Sequence, residues 1–161
     1  MLNNKILITG SAGFIGYHVS KSLLEDNYEV MGIDNINSYY DVNLKKRRIS
    51  KLKKYDNFIF EKINIADNSK LAKSFKNFMP SIVVNLAAQA GVRYSIENPH
   101  AYMSSNLVGV LNIIELSRIH NVKTFVYASS SSVYGGNKKS PFSESDRVDS
   151  PISFYGATKR S

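Results

Sequence analysis

The sequence predicts an α/β protein built on a doubly wound parallel sheet, and three observations predict it. Short Val/Ile-rich runs alternate with helical patterns along all 161 residues. The first run passes straight into a glycine-punctuated turn, Gly10-Ser11-Ala12-Gly13-Phe14-Ile15-Gly16, that opens a helix. The second run ends on a carboxylate, Asp34, 24 residues after Gly10.

In chain order, Lys5–Thr9 reads as a buried strand and 14–27 as the first helix. Glu29–Asp34 is the second strand. A polar stretch, 35–41, leads into a basic helix. There Lys45, Lys46, Arg47, Arg48, Lys51, Lys53 and Lys54 place seven charges in ten positions, and Leu44, Ile49 and Leu52 form a narrow apolar seam. Residues 58–65 follow as a strand and Asn68–Phe78 as a helix stopped by Pro80. Residues 82–87 make the fourth strand. A long helix starts near Pro99 and runs to about His120, and 122–128 make the fifth strand. Strand–helix–strand units of this kind give a parallel sheet with the first strand near its middle. Ligands bind such sheets beyond the carboxyl ends of the strands, so a functional residue should sit just after a strand.

Composition narrows the classes. Hydrophobic residues are 43% and charged residues 21%, which excludes a disordered or fibrous chain. There is no cysteine, so a disulfide scaffold, a thiolate nucleophile and a Cys-based zinc site are excluded. His18, His100 and His120 fall at no metal-ligand spacing. No apolar run approaches the ~18 residues of a membrane helix. Lys5 leads directly into Ile6-Leu7-Ile8 and Gly10 with no signal-peptide core, so a cytoplasmic chain is expected. The net charge of +8 could serve nucleic acid, but aromatic stacking residues are not interleaved with the basic cluster, and a solvated helix face is the expectation.

Each motif has a chemical reading and a plain one. The glycine spacing allows a tight turn and close approach of backbone amides to a pyrophosphate, at a helix N-terminus that favours negative charge. Glycines also serve ordinary strand–helix turns; the strand before and the helix after make this turn specific. Asp34 can accept both hydroxyls of an adenosine ribose and would repel a 2′-phosphate, which favours NAD over NADP; alone it would be a strand-ending turn residue. Tyr155 and Lys159, at i and i+4, share a face if helical. An ammonium beside a tyrosine lowers the phenol from about 10 toward operating pH and makes it a general base for an alcohol. In a chain with ten Tyr this spacing arises easily by chance, and the run Ser129-Ser130-Ser131-Ser132 alone would be a polar loop. Together with the dinucleotide turn they become specific. Asp146, Asp149 and Glu144 read as loop residues.

With these motifs the chain resembles the extended short-chain dehydrogenase/reductases, which have a Rossmann-like sheet, and within them the NAD-dependent nucleotide-sugar epimerases of the glucuronate type. Its marks are the glycine turn, Gly32-Ile33-Asp34-Asn35, Tyr39-Tyr40-Asp41-Val42-Asn43-Leu44, Asn85 through Arg93, Asn106-Leu107-Val108-Gly109, the serine run and Tyr155-Gly156-Ala157-Thr158-Lys159. The resemblance implies that Gly10, Gly13, Phe14, Ile15 and Gly16 contact the NAD pyrophosphate, Asp34 and Asn35 the ribose, and Asn64 and Ile65 the adenine. It implies that Leu86, Ala87, Ala88, Gln89 and Asn106 lead toward the nicotinamide. Ser130, Tyr155 and Lys159 would be catalytic, and Ser131, Ser132 and, more weakly, Arg93 would meet the carboxylate of a UDP-sugar. In the implied reaction Tyr155 takes the C4 hydroxyl proton while hydride leaves C4 for NAD and later returns to the other face.

Two departures from the family pattern stand out. Asn64 replaces an acidic residue at the adenine amino group, where its amide oxygen can still accept, and Asn85 replaces a histidine. The Asp-Glu pair that sugar 4,6-dehydratases carry after the catalytic hydroxyl is Ser131-Ser132 here, which speaks against elimination of water. Family members are about twice this length, so residues 1–161 are expected to be an incomplete NAD-binding domain, lacking the last strands and the substrate lobe. From that follow an open edge on the fifth strand, a short catalytic helix and a homodimer through 99–120 with a weakened interface. An inactive NAD-binding remnant and a basic nucleic-acid module are the alternatives; neither nucleic acid nor membrane is an expected partner.

Overall fold

The computed structural model describes residues 4–161. Strand β1 (Lys5–Thr9) carries the alternation that fixes the layers: Leu7 joins the core on one face of the sheet, and Ile6 and Ile8 join the core on the other. Both faces are therefore covered, as the near-continuous apolar run requires. Helices α1 (Phe14–Glu25) and α2 (Val42–Leu52) cover one face through Leu24, Ile49 and Leu52. Helix α3 (Asn68–Phe78) and the later helix α6 (Gly109–Ile119) cover the other through Leu71, Phe75, Phe78, Ile113 and Leu116. Each fully buried side chain of this size contributes about 1.5–3 kcal/mol.

Strands β2 (Glu29–Asp34), β3 (Phe58–Lys62), β4 (Ile82–Asn85) and β5 (Thr124–Tyr127) complete a five-stranded, all-parallel sheet of order β3-β2-β1-β4-β5. The direction of winding reverses at β1, between β2 and β4, so a crevice opens there beyond the carboxyl ends.

Local chemistry sets the boundaries. Asn27 (φ 63) and Asn121 (φ 54) end the helices before them in the left-handed region that asparagine tolerates, so α1 stops at Glu25 rather than at 27. Asp41 and Asp67 cap α2 and α3, and Pro80 follows the left-handed Met79. Asn98 caps α5 (Pro99–Tyr102) with Pro99 in its first turn. The expected long helix continues through α5, a π-helical stretch (Met103–Val108) and α6. Strands β3 and β4 end earlier than expected, because the chain leaves the ladder once it reaches the crevice, and β5 is trimmed at both ends. A short helix, α4 (Val92–Glu97), stands where no element was expected. The serine run folds into a single 3-10 turn (Ser131–Tyr134), and α7 (Phe154–Arg160) is capped by Ser153, whose Oγ accepts from the Gly156 amide at 2.9 Å. Among the described residues no helix is long and apolar enough to cross a membrane.

Candidate functional site

The glycine turn is stitched to β2: the Gly10 and Ser11 amides both donate to the Ile33 carbonyl, at 2.7 and 3.2 Å. Gly10 has φ +72, and a Cβ there would lie 2.8 Å from the Ala87 nitrogen. A Cβ on Gly16 would lie 2.1 Å from the Gly10 carbonyl oxygen. Gly16 therefore lets the start of α1 pack closely on the Gly10–Ser11 turn. Phe14 and Ile15 expose their side chains. The first turn of α1 has neither a capping side chain nor an acidic residue, so its amides keep their partial positive charge available.

Asp34 closes β2 and is held by the turn it faces. Its Oδ2 accepts from the Ala12 amide at 3.1 Å and its Oδ1 from the Ile36 amide at 2.8 Å. The Ala12 carbonyl accepts in turn from Tyr40 Oη at 3.4 Å and Arg48 Nη1 at 3.2 Å. Arg48 also donates to Tyr40 Oη at 3.2 Å. The basic helix is thus not merely a solvated face. Lys45, expected among its exposed charges, is only 4% exposed. Its ammonium donates to the Asn37 carbonyl at 2.9 Å and side-chain oxygen at 2.6 Å, and sits 4.3 Å from the centre of the Tyr40 ring. Burial pushes Lys45 down, with the Asp34 charge opposing that, and burial pushes the Tyr40 phenol up.

The far wall comes from the ends of β3 and β4. Thr9 Oγ1 donates to Asn85 Oδ1 at 2.6 Å and accepts from the Leu86 and Ala87 amides at 3.1 and 3.0 Å. Asn85, which the sequence left without a consequence, therefore fixes the Leu86–Ala87 bend. Asn64 already spends one lone pair of its amide oxygen on the Ala66 amide at 3.0 Å. The resulting cleft encloses about 630 Å³ with its open mouth. Gly10, Gly13, Asp34, Asn35, Asn64, Ile65, Leu86, Ala87, Ala88 and Gln89 line it, together with Tyr40 and Lys45. Gln89 is buried beside the Tyr102 hydroxyl, which its side chain approaches as a donor.

The remaining expected residues gather in a second cluster. Ser130 Oγ accepts from the Ser132 amide at 3.2 Å, so its own proton is free to donate. Ser131 is exposed and Ser132 half-buried. Tyr155 and Lys159 both lie on α7, which packs on the serine turn. The Tyr155 ring stands edge-on to Tyr102, with centroids 6.0 Å apart. Lys159 is buried; its ammonium donates to the Ala128 carbonyl at 2.9 Å, and burial pushes it down. Arg93 is exposed on α4.

Asn106 joins the two clusters. Its Oδ1 accepts from the Gln89 amide at 2.8 Å, and its Nδ2 donates to the Gln89 carbonyl and to Thr158 Oγ1, both at 3.0 Å. Thr158 Oγ1 donates onward to the Tyr155 carbonyl at 2.9 Å. The sequence assigns no site role to Tyr40, Lys45, Arg48, Thr9 or Thr158. The one available signal was the Tyr-Tyr-Asp segment immediately before the basic helix.

This architecture has known counterparts. The sequence matches the GDP-mannose 4,6 dehydratase family over residues 7–161. The chain belongs to that family. Protein CapI of Staphylococcus aureus is 54% identical over 157 residues, a match that covers 98% of this chain and 47% of CapI. The UDP-glucuronate 4-epimerase of Thermodesulfobacterium geofontis is 47% identical over 96% of this chain and 47% of its own length. The crystal structure of UDP-glucuronic acid 4-epimerase from Bacillus cereus, in complex with UDP-glucuronic acid and NAD, superposes with a TM-score of 0.86 at 34% identity. That match covers 97% of this chain and 49% of the other. This member of the GDP-mannose 4,6 dehydratase family thus spans about half the length of the curated relatives it matches.

Proposed function

We infer that these residues form the cofactor half of an NAD-dependent UDP-glucuronate 4-epimerase. One observation carries the reading: a carboxylate at the end of β2, pinned by the glycine turn, faces the same cleft as an uncapped helix N-terminus. A carboxylate suits two free ribose hydroxyls and disfavours a 2′-phosphate, so the cofactor is NAD. The helix amides suit its pyrophosphate. When bound, NAD supplies a reversible oxidant for C4 of the sugar.

The chain's own groups handle the proton. Tyr155 takes it from the C4 hydroxyl and returns it after the sugar turns over. Lys159 follows Tyr155 by one turn on α7, and Ser130 donates its free proton to the C4 oxygen. Ser131-Ser132 offers hydroxyls to the sugar carboxylate and provides no acid–base pair for elimination. Exposed Leu111 and Ile114 on α6 support pairing with a second copy.

The test has two stages. Titration calorimetry with NAD should give saturable binding; no heat at millimolar NAD rejects the cofactor reading. UDP-glucuronate is then assayed for conversion to UDP-galacturonate, with the 161 residues joined to the remaining half of a relative. NAD binding without conversion would leave a binding remnant.

A further inference from the structure

The geometry points to a second ligand site, for a nucleoside polyphosphate, in the notch between α2 and the edge strand β3. Lys46, Ile49 and Ser50 on α2, with Lys53 at its C-terminal cap, line one side of the notch. Phe60 and Lys62 alternate onto the facing side of β3, while Glu61 points the other way and binds Ser74. Ile36 closes the end. The notch encloses about 740 Å³ with its open mouth.

Its floor and rim ask for different things. The floor is apolar, with Ile49 buried and Ile36 and Phe60 half-buried. The rim is three lysines, and none of them is in an ion pair: the carboxylate pairs among the described residues use Lys5, Lys21, Arg47, Lys70, Arg118, Lys139 and Arg147. Lys53 instead lies 5.6 Å from the centre of the Phe60 ring. Three like charges around one concavity raise its affinity for anions. A bare anion would leave the floor wet, and an uncharged apolar ligand would leave the lysines uncompensated. A flat ring carrying two or more negative charges satisfies both. A base can lie on Phe60, Ile36 and Ile49 while its phosphates reach the ammonium groups.

The notch is separate from the first cleft but shares a wall with it. Asn35 and Asn37 line the cleft, whereas Ile36 between them lines the notch. Ile36 sits at φ 52, a conformation a β-branched residue rarely takes, with its amide on Asp34. The test must therefore separate the two.

The ¹⁵N-labelled chain is titrated with ATP in EDTA and its amide shifts are mapped. Saturable shifts at Lys46, Lys53, Phe60 and Lys62, persisting when NAD is present in excess, are expected. The double variant Lys53→Gln/Lys62→Gln should weaken binding at least about fivefold and leave the NAD affinity unchanged. Adenosine and inorganic tripolyphosphate should each bind at least about fivefold more weakly than ATP. Shifts confined to the turn at Gly10–Gly13, or loss of all shifts on adding NAD, would place ATP in the first cleft and overturn the proposal. Tripolyphosphate binding as tightly as ATP would overturn the nucleoside assignment.

Discussion

The Asp34 carboxylate accepts a hydrogen bond from the Ala12 amide at 3.1 Å, across 22 residues of sequence. One end of the cleft is therefore preorganised: the group that would meet the ribose also holds the turn that would meet the pyrophosphate. Asp34→Ala removes both functions. A hydrogen bond to a charged group is worth about 1.5–3 kcal/mol, so the dissociation constant for NAD should rise by about 10- to 100-fold. Calorimetry on the variant checks this, with circular dichroism to show an intact fold. An unchanged constant would remove Asp34 from the cofactor site.

Asn106 holds Gln89 on one side and Thr158 on the other, both within a buried region. Asn106→Ala leaves the Gln89 main-chain groups without these partners, at about 1–3 kcal/mol per buried group. The loss should fall unevenly. Amides of α7 should exchange hydrogen faster by a larger factor than those of β1 and β4, because α7 is short and leans on this link. Equal acceleration everywhere would show that Asn106 serves only global stability.

How far these relationships were legible differs from element to element. Strand β1 and helices α1 and α3 follow from apolar period, glycine placement and caps that lie close together in sequence. Asp34 and the glycine turn were legible because both sit at strand ends of one recognisable unit. Lys45 and Arg48 were not, since helix periodicity marks Ile49 and Leu52 as buried but cannot tell that a lysine folds inward onto Asn37. That depends on the path of the 35–41 turn. Asn85 carries no readable effect in sequence because its partner, Thr9, lies 76 residues away. Helix α4 was missed because a six-residue segment carries too little periodicity to register.

Burial pushes the Tyr102 phenol up to about 12, and neighbouring Tyr39, Tyr155 and Tyr94 push the same way. An unfolded tyrosine releases its proton near 10. Between about 10 and 12 the folded chain keeps a proton that the unfolded chain has lost. This contribution to stability is complete below pH 10 and fades as pH rises through that window. Lys45 and Lys159 act in the opposite sense: burial holds them below 10.5, so they add stability as pH climbs toward that value. The melting temperature should therefore rise into the alkaline range and fall beyond about pH 10. Tyr102→Phe should flatten the fall while lowering the plateau, since it also removes the bonds to the Ala90 and Gly91 carbonyls at 2.9 and 2.5 Å. Thermal melts of both proteins between about pH 8 and 11.5 decide it; parallel curves would contradict the assignment.

Among the described residues strand β5 pairs with β4 alone, and Phe125, Val126 and Tyr127 are 38%, 48% and 40% exposed. An apolar edge without lysine or proline is a template for another strand. The 161 residues should therefore associate as concentration rises, by adding strand to strand at β5. Val126→Lys should suppress that association and change stability by no more than about 0.5 kcal/mol, since the side chain is half in solvent already. The competing route is the exposed face of α6, where Leu111→Glu would act instead. Light scattering across a concentration series separates them. If only Val126→Lys abolishes association, the contact is the open sheet edge. If only Leu111→Glu does, two copies meet helix to helix and β5 is not the contact. The two surfaces lie on different elements, so when both contribute the double variant should show nearly additive effects.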